Sequence, residues 1–137
     1  RYENTPITAN FRFAVFFPLS RSVGLPSALP PGATGWVLFK SGNGSWAETG
    51  PMDGNERLDP GADRLGPIPM AVAVQHDAAI GARLVVFGDS DFATNRYWRL
   101  PGSGDLVLNA FAWLAERPDE IAVRSAEPTD RRVEPGT

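Results

Sequence analysis

The chain has 137 residues, 42% of them hydrophobic and 21% charged, with four tryptophans and a formal net charge of −3. This is one domain's worth of material with enough apolar content for a core, and it argues against a disordered chain. The absence of cysteine removes a cysteine nucleophile, a thiolate metal site and a disulfide framework, no basic stripe interleaved with aromatics supports nucleic-acid binding, and no apolar run reaches the roughly 18 residues of a bilayer span.

Phe11-Arg12-Phe13-Ala14-Val15-Phe16-Phe17 is a strand candidate bounded by Asn10 and Pro18. Its near-continuous apolar character predicts burial on both faces. The 14 glycines and 13 prolines concentrate between residues 18 and 69. Gly24, Pro26, Pro30, Pro31 and Gly32 mark a stretch that cannot sustain a helix. Gly35 to Ser41 reads as the second strand, ended by a turn at Gly42-Asn43-Gly44.

Residues 45 to 67 read as a long irregular excursion carrying Trp46, Glu48, Asp53, Glu56, Asp59 and Asp63. Loops of this length are usually functional or mobile. Trp46 and Glu48 are binding candidates, because an indole stacks on a sugar ring while a carboxylate clamps it. The structural counterpart has Trp46 plugging the excursion onto the sheet and Glu48 accepting backbone amides.

Met70 to Val74 gives the third strand, with His76 and Asp77 at its end. A short connection at Ala78 to Gly81 then predicts a hairpin, and so antiparallel pairing, to Leu84-Val85-Val86-Phe87. That strand runs into Gly88-Asp89-Ser90-Asp91, and the carboxyl end of a strand in an α/β protein is where ligands and catalytic groups usually sit. Three readings follow. As a nucleophile, Ser90 would need a histidine base, and the only histidine is His76. As a metal or phosphotransfer site, Asp89 and Asp91 would offer oxygen ligands, yet Phe92 follows Asp91 and the only lysine is Lys40. As structure, Gly88 permits an unusual backbone angle, and Asp89, Ser90 and Asp91 cap amides where a helical turn begins. Phe92 then packs under the loop and Asn95 closes it. The structural reading is preferred, with Asp89, Ser90, Asp91 and Asn95 kept as binding candidates, no catalytic residue, no metal ligand and no cofactor.

Tyr97 and Trp98 follow that loop as a possible contact pair. From Gly104 the period becomes helical, with Leu106, Ala110, Trp113 and Leu114 on one face and Asp105 suited to the first turn. Pro118 stops the helix. Asn109 lies off the apolar stripe, and if buried it is expected to bond the loop at residues 89 to 95. Ile121-Ala122-Val123 reads as a final short strand at a sheet edge, and residues 125 to 137 as a tether. The expected fold class is therefore α/β: a mixed sheet of about five strands with one main helix, forming a single domain over residues 1 to 124. One helix covers one face only, which leaves an apolar face for other parts of a longer protein, or for a second copy of the chain, to cover.

The segment from Arg83 to Asn95, then Gly104-Asp105-Leu106, Leu108-Asn109-Ala110 and Trp113-Leu114-Ala115, resembles the auxiliary component of uncharacterized ABC-type transport systems, including the gliding-motility-associated transporter proteins. Pro6-Ile7-Thr8, Phe17-Pro18-Leu19-Ser20-Arg21 and Ser45-Trp46-Ala47-Glu48-Thr49 occur upstream in the same order. Thr5 stands where that family commonly has a histidine. The resemblance implies part of a class I glutamine amidotransferase-like (flavodoxin-like) domain, without the cysteine those enzymes use. It also implies a tether leading to a membrane segment near Arg131 and Arg132, a place on the extracytoplasmic face of the membrane, and permease and ATPase subunits as partners. The expected function is non-catalytic binding or interaction; the alternative is a hydrolase or metal-dependent enzyme using the Gly-Asp-Ser-Asp loop.

Overall fold

A computed structural model describes residues 2–77 and 81–116. In chain order its elements are β1 (Ala33–Lys40), β2 (Trp46–Ala47), β3 (Arg64–Leu65), β4 (Pro69–His76), β5 (Ala82–Phe87), a 3-10 turn (Asp91–Ala93) and α1 (Ser103–Leu114). The architecture is mixed α/β, a few antiparallel strands with one helix. The helix falls where the periodicity from Gly104 places it. Pro118, the expected strand at Ile121–Val123, the boundary at residue 124 and the tether lie outside the described residues.

β1, β4 and β5 form a three-stranded sheet in that order, antiparallel throughout. Their β-branched and aromatic residues suit a pleated surface. Ala71, Ala73 and Gln75 of β4 pair with Phe87, Val85 and Arg83 of β5, which sets these odd-numbered residues on one face. The register between β1 and β4 shifts at Val37, Phe39 and Lys40. A bulge of this kind interrupts strict alternation, and the consecutive Leu38 and Phe39 are both buried in the core.

The core sits between this face and α1, joining Leu38, Phe39, Ala71 and Ala73 to Phe92, Leu106, Ala110 and Trp113. The second face is not bare. Leu25 and Leu29, half-buried, lie against Gly35, where a β-carbon would sit 2.9 Å from either side chain. Residues of the Pro/Gly-rich stretch thus cover the β1 side of the face expected to stand open, while Leu84 of β5 is exposed.

Phe11–Phe17 corrects another expectation, since it belongs to no strand among the described residues. Phe11 is buried and Phe13, Val15 and Phe17 are half-buried, while Arg12, Ala14 and Phe16 are exposed. The segment therefore packs through one face, not two. Its rings lean on the core directly: Phe11 on Tyr2, and Phe17 on Phe39 and Phe92 at centroid distances of 4.9 and 4.5 Å. Burial pushes the Tyr2 hydroxyl up to about 12, opposed by a bond with the Val15 backbone.

Asn109 is buried on α1, and its amide donates to the Ile7 carbonyl at 3.3 Å. The Asn109 bond found among the described residues thus goes to the N-terminal turn, whereas the expectation is a bond to the loop at residues 89 to 95. The N-terminal turn occupies that side of the helix. Thr5 Oγ1 and Thr8 Oγ1 share a 2.6 Å bond, and Thr8 donates to the Glu3 carbonyl.

Candidate functional site

The two clusters of candidate residues gather at one end of the sheet. β1 and β5 both finish there and β4 begins there. The excursion is rooted there by Ser41, whose amide bonds the Ile68 carbonyl and whose hydroxyl shares a 2.6 Å bond with Ser45. Gly88 bonds Met70 in continuation of the β4–β5 ladder, and the Arg21 amide then donates to the Gly88 carbonyl at 2.8 Å. Next, Val23 bonds Pro69. The segment from Ser20 to Val23 thus crosses the sheet end between the excursion and the Asp89 loop.

This crossing explains Gly88 better than backbone freedom does. Gly88 has no positive φ; a β-carbon there would collide with the Arg21 carbonyl oxygen. Close approach is the second reason a strand end needs glycine.

Beyond Gly88 the expected caps resolve unequally. Asp89 Oδ1 accepts the Asp91 amide at 2.8 Å, an Asx turn that leads into the 3-10 turn. Ser90 makes no side-chain cap, and Asp91 contributes its carbonyl, which accepts from both the amide and the hydroxyl of Thr94. Thr94, not Asn95, closes the loop, and Asn95 is exposed. Phe92 is buried beneath it as expected, against Phe17 and Phe87. Asp89 Oδ2 is shut off from solvent and has no hydrogen-bond partner among the described residues.

His76 lies at the opposite end of β4, paired with Ala82, whereas Ala71 pairs with Phe87 next to the loop. Five residues of strand put them roughly 17 Å apart along the sheet. A Ser90–His76 pair is thus not formed. Among the described residues no group of three or more His, Asp or Glu side chains is arranged to hold a metal ion. No described helix is long and apolar enough to cross a membrane.

The excursion is an ordered arm. β2 and β3 pair at its root, Trp46 with Leu65 and Ala47 with Arg64. Carboxylates hold the rest. Glu48 accepts the Gly50 amide at 2.7 Å and the Trp46 indole N–H at 3.2 Å. Asp63 accepts the amide and hydroxyl of Thr49 and the amide of Asp59. The Asp59 amide chiefly, with Thr49, holds the Asp63 carboxyl below its ordinary value, and the Gly54 amide does so first for Glu56. Glu48 bonds amides as the structural reading expects. Trp46, however, is exposed and does not plug the arm onto the sheet.

Apolar side chains project from this end instead. Met52 is 69% and Leu65 65% exposed, with Trp46 and Leu58 also open to solvent. Leu19, on the turn leading into the crossing segment, is 85% exposed and sits in the left-handed region at φ 53°. A branched side chain rarely adopts that angle, and strained exposed residues cluster at functional sites. In the sequence Leu19 stands out only as part of the Phe17-Pro18-Leu19-Ser20-Arg21 segment of the resemblance, which says nothing of its exposure. Tyr97 is half-buried, in contact with Phe16 and beneath Arg96, while Trp98 is partly exposed. Comparison with family models, curated proteins and solved structures returns no match for this chain.

Proposed function

We propose that this chain is a non-catalytic binding domain whose contact surface is the arm-bearing end of the sheet. The observation that carries it is the set of apolar side chains held out to solvent there: Leu19, Trp46, Met52 and Leu65. Soluble surfaces tolerate scattered leucines, but an apolar group rimmed by polar residues marks an interaction site. Glu48 and Asp63 lie on the same arm, with their carboxylates engaged in holding the arm's own backbone. Asp89 shapes the neighbouring loop, with Ser90, Asp91 and Asn95 displayed on it.

The resemblance supplies the context of the proposal: an extracytoplasmic domain of an ABC transporter's auxiliary protein, binding permease or ATPase subunits, with a flavodoxin-like sheet extended by further strands. Pairing with a second copy is the alternative occupant of an apolar surface. Co-purification of the full-length protein with a co-expressed permease subunit tests the reading. Leu19→Asp and Met52→Asp should abolish recovery while melting temperature stays unchanged, and unchanged recovery contradicts it. An esterase rate that disappears in Ser90→Ala would instead favour the hydrolase.

A further inference from the structure

α1 turns its polar residues inward. Ser103, Asp105 and Asn109 are all buried, and Asn109 bonds the Ile7 carbonyl. Its exposed residues are Leu108, Phe111 and Leu114, with Phe111 at 64%. A surface helix normally turns polar residues to water, and one that is apolar on every side is normally covered. The outer face of α1 is thus built to meet something.

Helical geometry gathers the three side chains into one arc. At about 3.6 residues per turn, a step of three residues falls roughly 60° short of a full turn. Phe111 therefore stands at the middle of the exposed arc, with Leu108 on one flank and Leu114 on the other. Steps of four from Phe111 reach the half-buried Val107 and the exposed Ala115. The arc so reads alike in both directions from Phe111, with leucine at three residues and a smaller apolar residue at four. None of these five positions carries a charge. Asp105 is buried elsewhere on the helix, and Glu116, beyond its last turn, is paired with Arg83 at 3.4 Å.

We infer that the outer face of α1 is an isologous interface on which a second copy of this chain packs, α1 against α1 and antiparallel. Exposure alone would suit any apolar partner. The reversal symmetry about Phe111 singles out a second copy, because a two-fold axis requires a patch complementary to itself. With the axis at Phe111, that ring meets the partner's Phe111, and Leu108 meets the partner's Leu114. Antiparallel packing also sets the positive end of each helix beside the negative end of the other. A helix of 12 residues is only about 18 Å long, so the contact is small and the pair forms and parts with protein concentration. Val107, Phe111 and Leu114 also wall a groove of about 470 Å³ that reaches Asp89 and Ser90, so the interface adjoins that loop. Leu19, Trp46, Met52 and Leu65 do not line this groove. Pairing through α1 thus stands or falls separately from the binding surface proposed for them.

Sedimentation equilibrium of the whole chain tests it, over a range of about 10 μM to about 1 mM that suits weak association. The average mass should climb from one copy toward two as concentration rises. Phe111→Glu should hold it at one copy throughout with the melting temperature unchanged, because Phe111 is already open to solvent. Leu108→Glu and Leu114→Lys should each weaken pairing. Both in one chain should pair more tightly than either alone, since the antiparallel register brings the two new charges together across the axis. Positions six apart do not meet within one helix, so that recovery comes from the partner. A mass of one copy at every concentration overturns the inference, whatever else covers α1. So does a double variant weaker than either single one. A two-copy mass that survives Phe111→Glu also overturns it, and its loss in Leu19→Asp would assign self-association to the arm-bearing end.

Discussion

In the sheet-and-helix body, the enclosed groups are side chains: Leu38 at the β1 bulge, Phe92 in the 3-10 turn and Leu106 on α1 are fully buried. In the arm between residues 45 and 67 the relation is inverted. There the satisfied groups are backbone amides, held by Glu48, Glu56 and Asp63, while Met52 and Leu65 face water. The body is therefore stabilised by removing apolar area from solvent. The arm is ordered by charge-assisted hydrogen bonds, which leaves its apolar side chains unspent. A segment built in this way keeps its shape without burying the residues a partner needs.

This contrast can be broken at several points. The largest effect is expected in the body: Phe92→Ala opens a cavity between Phe17 and Phe87 and should cost about 3–5 kcal/mol, read as a fall in denaturation midpoint. Asn109→Ala comes next, since it leaves the Ile7 carbonyl without its amide; about 1–3 kcal/mol is the usual penalty for such an orphan. Nuclear magnetic resonance shifts at Ile7 and Thr8 should report the loosened N-terminal turn. Asp89→Ala removes the acceptor of the Asp91 amide, and loss of a cap typically costs about 0.5–2 kcal/mol. An unchanged melting temperature would remove Asp89 from the structural account.

The smallest global effect is expected in the arm. Asp63→Ala should leave the melting temperature where it is and accelerate exchange of the Thr49 and Asp59 amides. Acid should act similarly. Because the Asp63 carboxyl is held below its ordinary value, the state with a loosened arm binds the proton more readily. The arm's order is thus full above the ordinary aspartate value and is lost as pH falls through the lower, folded value. A Thr49 protection factor, with the intrinsic pH dependence of amide exchange divided out, that does not change in that window would show that the carboxylate does not hold the arm.

Residues whose role is local were readable before the structure. The apolar runs at Val37, Val72 and Val85 and the helical stripe at Leu106, Ala110 and Trp113 each carry their own period, and Asp89 acts on an amide two residues away. What escaped depends on distant neighbours. Gly88 is set by Arg21, and Asn109 by Ile7, and no spacing in the sequence links either pair. Phe11–Phe17 was misread because Ala14 and Phe16 are apolar yet exposed, which hides an alternation that side-chain burial makes plain. Leu19 is ordinary in composition and unusual only in its backbone angle.

The proposed binding surface is tested most directly by photo-crosslinking from single positions in the protein co-expressed with the permease and ATPase subunits that the proposal gives it as partners. A photoreactive side chain at Leu19 or Met52 should give adducts with a transporter subunit, and one at Leu84, which is 55% exposed, should give none. Adducts from Leu84 alone, or equal yields from all three positions, would contradict the assignment of the arm-bearing end as the contact surface.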